Sequence, residues 1–64
     1  MVKTTKAQRI AIRRIYMRGA DYTRALTYRE FRSTAQPTFG CDGAITLPWA
    51  GMWLCIERDG YTHS

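Results

Sequence analysis

Residues 44–63, AITLPWAGMWLCIERDGYTH, hold most of the large apolar side chains and decide the fold. Ile45, Leu47 and Trp49 alternate with other residues, and Met52, Leu54 and Ile56 repeat the pattern, the period of two of half-buried strands. The runs meet at Ala50-Gly51. A two-residue loop there sets Trp49 opposite Met52, Leu47 opposite Leu54 and Ile45 opposite Ile56, which gathers these six apolar side chains on one face. Alanine suits poorly the positive φ of a type I′ turn, so the competing reading is a type I turn over 48–51 with a glycine bulge. That register mixes the faces, and the unmixed one is preferred. Asp59-Gly60 is a second turn signal, predicting a short third strand at 61–63 folded back on the second. The outer face then carries Thr46, Trp53, Cys55 and Glu57, with Trp53 expected to lie under a helix of the same chain.

Upstream, residues 37–43 (PTFGCDG) are turn-rich and feed the hairpin, with Phe39 as their expected core anchor. Thr27 with Glu30 forms a capping box, and Leu26 and Phe31 flank it as a hydrophobic staple. A helix over 28–35 follows, ending before Pro37, with Tyr28, Phe31 and Ala35 inward and Arg29 and Arg32 outward. Residues 19–26 connect it to an earlier helix, which starts at a second capping box, Thr5 with Gln8, and runs to Arg18 before Gly19. On that helix Ala11, Ile12 and Ile15 cluster, with Gln8 and Tyr16 at the edges of the stripe. Lys6, Arg9 and Arg13 gather opposite, beside Ile10 and Met17, and Arg14 and Arg18 form a further i, i+4 pair. The expected fold is α+β: two helices on a small antiparallel β-hairpin or three-stranded meander, one domain over 1–64 with a loosely ordered arm at 1–4.

Sixty-four residues sit near the lower limit for a domain that folds alone. No apolar run approaches a membrane span, and the N-terminus lacks the apolar segment of a secretory signal, so a cytoplasmic protein is expected. Cys41 and Cys55 without an export signal read as reduced thiols. With His63 they lack the paired spacing of a zinc site, so neither metal nor cofactor is expected. Charge is uneven: residues 1–36 carry nine Lys or Arg against Asp21 and Glu30, a net of +7, whereas 37–64 carry Arg58 against Asp42, Glu57 and Asp59, a net of −2.

GMWLCIERDGYTHS, with TYREFRSTAQPTFGCDG before it, resembles a family of small uncharacterised proteins of tailed bacteriophages. The resemblance covers roughly 27–64 and is most specific at residues 51–54 and 59–64. It implies a phage gene expressed in a bacterium, in the host cytoplasm, and carries over no residue roles. Cys55 departs from the glycine common at that position in the family, so the resemblance assigns its thiol no chemistry.

The largest functional signal is the cationic set Lys6, Arg9, Arg13, Arg14, Arg18, Arg29 and Arg32, beyond what solubility requires. It reads as a footprint for an acidic partner, nucleic acid or a host protein, with Tyr16, Tyr22 or Trp53 available for stacking or anchoring. Eight or so residues between the helices argue against a helix-turn-helix. Cys41 beside Asp42, with His63, is the sole nucleophile-and-base arrangement to weigh, and Asp42 among glycines is better explained as a turn residue. The expected function is therefore a non-enzymatic phage accessory protein binding through its basic helices; the contrasting class is a minor virion protein filling contacts between larger subunits. Residues 61–64 read as a polar strand edge rather than a recognition edge.

Overall fold

The computed structural model describes residues 3–19, 26–38 and 42–63. Among them run α1 (Lys6–Arg18), α2 (Tyr28–Arg32), β1 (Gln36–Pro37), β2 (Ile45–Trp49), β3 (Met52–Ile56) and β4 (Thr62–His63). The four strands form one antiparallel sheet in chain order. The helices pack on one face of it, so this is an α+β fold with a two-layer core.

The preferred hairpin register holds: Ile45 pairs Ile56, Leu47 pairs Leu54 and Trp49 pairs Met52. Ala50 and Gly51 take positive φ, 50° and 79°, as a type I′ turn requires. Pairs alternate away from a two-residue turn, so Pro48 opposite Trp53 falls at a non-hydrogen-bonded pair. Its ring nitrogen therefore faces the other edge of β2, where β1 does not reach, and a proline in the strand costs no ladder bond. Left-handed geometry at a non-glycine residue costs roughly 1–2 kcal/mol, much of which asparagine avoids. Ala50→Asn is thus expected to raise stability by about 1 kcal/mol, read as a higher urea midpoint at unchanged slope. A midpoint equal to wild type or below it would mean the turn is unstrained.

The core joins Ala11 and Ile12 of α1, Phe31 of α2, Ala35, and Ile45, Leu47 and Ile56 of the sheet, flanked by Ile15, Tyr16, Tyr28 and Trp49. Both capping boxes are formed, Thr5 with Gln8 and Thr27 with Glu30. Gln8 is no edge residue, being 0% exposed. Its Nε2 donates to the carbonyls of Gly43 (2.8 Å) and Ile56 (3.2 Å), and its Oε1 accepts from the Thr5 amide at 2.8 Å. One side chain thus caps α1 and ties its first turn to the start of β2 and the end of β3.

Four expectations are corrected. The second helix stops at Arg32 rather than residue 35: Ser33 and Thr34 hydroxyls donate to the Glu30 and Phe31 carbonyls, and the backbone tightens into i, i+3 bonds through Ala35. Gln36 and Pro37 then add a strand beside β2, making four strands rather than three. The turn at Asp59-Gly60 is a three-residue loop: the Gly60 amide donates to the Glu57 carbonyl, the Glu57 amide donates to Tyr61, and positive φ (92°) falls at Gly60 while Asp59 keeps an ordinary backbone. Lastly, Trp53 is not covered. It stands 58% exposed on the face opposite the helices. The expected core anchor Phe39, together with Cys41 and Tyr22, lies outside the described residues.

Candidate functional site

The spacing of the cations on α1 decides where they stand. Lys6, Arg9 and Arg13 follow one another at three and four residues, so they form a row along one flank of the helix. Arg32 lies one turn beyond Tyr28 on α2, and α2 lies against that flank. Lys6, Arg9, Ile10, Arg13, Tyr28 and Arg32 consequently line one open cleft of about 310 Å³.

Tyr28 forms the floor. Its hydroxyl donates to the Arg9 carbonyl at 3.3 Å, joining the helices, and its ring lies 4.5 Å below the Arg13 guanidinium carbon and 5.8 Å from that of Arg32. Cations over an aromatic face are held by the ring quadrupole. Arg32, expected to point outward, is half-buried, with its Nε shut off from solvent. Arg9 Nη1 donates to the Thr4 carbonyl at 2.9 Å. The ion pairs among the described residues, Arg58 with Asp42 and His63 with Glu57, both lie in the sheet half.

The remaining predicted residues divide into four places. Arg14 and Arg18 line a second hollow on the other flank of α1, with Ala11, Ile15, Gly60 and Thr62. Arg29 is exposed on α2 outside both hollows. Trp53 stands across the sheet from the cleft, and Tyr16 is taken up by the core, its hydroxyl donating to Leu26 at 2.7 Å and its ring tilted against Phe31. Neither of these aromatics serves the cleft. Tyr28 does, although its sequence position reads only as packing; the one local signal available is its place four residues before Arg32.

No family model, curated protein or solved structure matches this chain.

Among the groups weighed for nucleophilic or metal chemistry, Asp42 faces Arg58 at 3.8 Å and Cys41 is outside the described residues. His63 Nε2 instead meets the Glu57 carboxylate at 2.7 Å, next to Cys55. Among the described residues no helix is long and apolar enough to cross a membrane.

Proposed function

We propose that this chain is a non-enzymatic accessory protein of a bacteriophage that acts in the host cytoplasm by binding the phosphate backbone of nucleic acid through its basic helical face. The observation that carries the reading is the cleft that Lys6, Arg9, Arg13 and Arg32 share from two helices, with Arg13 and Arg32 set over the ring of Tyr28.

Eight of the ten basic residues are arginine, whose planar fork matches phosphate oxygens two at a time. Cations occupy both flanks of α1, over a helix of thirteen residues or roughly 20 Å. A repeating polyanion matches that extent better than one cluster of carboxylates on a protein. With the Tyr28 face occupied by its own arginines, stacking on a base is not part of the contact. Recognition is therefore of backbone charge and independent of sequence.

Affinity for a labelled oligonucleotide, measured by anisotropy, is expected to fall steeply as salt rises. Arg9→Ala, Arg13→Ala and Arg32→Ala should each lower the slope of log K against log salt by about one, to a similar degree on unrelated sequences. Binding indifferent to salt, or variants that keep the wild-type slope, would overturn the reading. Capture of a single acidic bacterial protein through the same arginines would assign the face to that protein instead.

A further inference from the structure

The outer face of the sheet brings together three side chains that no expectation had grouped. Cys55 and Glu57 lie two residues apart and project to the same side. His63 pairs with Cys55 across β3 and β4, which puts their Cβ atoms about 5 Å apart by strand geometry alone. The three-residue loop at 58–60 is what makes this pair. A two-residue loop at 59–60 would have set His63 opposite Ile56, on the face of the core.

The ligand atoms follow the backbone. Cys55 Sγ is 3.8 Å from Glu57 Oε2, His63 Nε2 is 2.7 Å from the same oxygen, and one donor atom from each residue lies within 4.8 Å of the others. Cys55 keeps its thiol and is buried, with Thr38 Oγ1 at 3.9 Å from the sulfur. The His63 and Glu57 side chains are 45% and 40% exposed, so the group opens to solvent on one side.

We propose that Cys55, Glu57 and His63 form a binding site for a divalent transition metal of the zinc type. Sulfur, imidazole nitrogen and carboxylate oxygen in one place suit Zn²⁺ or Co²⁺ and are a poor match for the all-oxygen shells of Mg²⁺ and Ca²⁺. Bonds of about 2.0–2.3 Å set tetrahedral donors roughly 3.3–3.8 Å apart. The Sγ to Oε2 separation already fits, and a cation would replace the His63–Glu57 hydrogen bond and open it by about half an ångström or slightly more. Water fills the fourth position from the solvent side, and the thiol releases its proton to solvent on binding. The metal would clamp β4, two residues long, onto β3. The site is independent of the basic cleft across the sheet.

The test uses the full chain, reduced, titrated with Co²⁺ and followed by absorbance. One equivalent is expected to produce visible d–d bands of a tetrahedral ion together with a near-ultraviolet thiolate-to-cobalt band. Cys55→Ser should remove the near-ultraviolet band, His63→Ala should weaken binding at least roughly tenfold, and Cys41→Ser should leave both features intact. Zn²⁺ should displace Co²⁺ and raise the melting temperature of wild type but not of Cys55→Ala, whose fold is checked by circular dichroism. Absence of the thiolate band in wild type, or its survival in Cys55→Ser with loss in Cys41→Ser, would overturn the proposal.

Discussion

Replacing Gln8 with leucine is expected to cost about 2–4 kcal/mol, a large share of the stability of so small a protein. The side chain is wholly buried and three of its hydrogen-bonding positions are used, two toward the sheet and one toward the helix cap. Leucine fits the space but removes all three bonds and leaves the Thr5 amide without its acceptor, while the Ile56 carbonyl keeps its ladder bond from Ile45 and the Gly43 carbonyl, in an exposed residue, turns to water. A buried polar group without a partner costs about 1–3 kcal/mol, and water reaches the Thr5 end more easily than the Ile56 end. A chain of 64 residues has only about 3–10 kcal/mol in hand. Glutamate should fare no better, because it keeps the acceptor for Thr5 and turns a charged oxygen toward two carbonyls. Urea unfolding followed by circular dichroism measures the loss. A cost below about 1 kcal/mol for Gln8→Leu would mean that these bonds are not made in solution.

Gly19→Ala is expected to cost about 3 kcal/mol, for a reason unrelated to glycine's backbone freedom, since φ there is −101°. A Cβ at this position would stand 1.6 Å from Trp49 Cη2 and 2.2 Å from Cζ3, inside the indole ring. The ring must leave, and with it goes the edge contact with Phe31 at 6.3 Å. Overpacking of this kind typically costs 1–3 kcal/mol, and eviction of a core-flanking tryptophan places the site at the top of that range. Trp49→Leu removes the obstacle, so the double variant should be more stable than the two single losses predict by at least about 1 kcal/mol. Strictly additive losses would show that the two residues do not meet.

What could be read in the sequence were features that repeat at short range. The hairpin register is legible because six apolar residues alternate on both sides of a two-residue gap, and only one pairing puts them all together. The helix starts are legible because a threonine followed three residues later by Gln8 or Glu30 can satisfy its own backbone. Strand β1 is not, since two residues, one of them proline, carry no period and form a strand only because β2 offers an open edge. The second bonding set of Gln8 spans 35 and 48 positions and leaves no local trace. Asp59-Gly60 misled by one residue: the dipeptide most favoured in a two-residue turn serves equally in a three-residue loop with glycine in the left-handed position. That single step of register decides which face His63 joins. The basic cleft was half legible. Its cations follow from helical spacing, whereas the place of Tyr28 beneath them depends on how α2 meets α1.

The two-residue turn has a bearing on the order of assembly. Ala50-Gly51 brings β2 and β3 together at almost no cost in loop entropy, so this ribbon can close before the long-range contacts that join it to the helices. Docking α1 through Gln8 must wait until far longer loops are closed. Docking of the first helix on the sheet is therefore expected to follow closure of the hairpin, so the arginines of α1 take their fixed place relative to the sheet only once that ribbon stands.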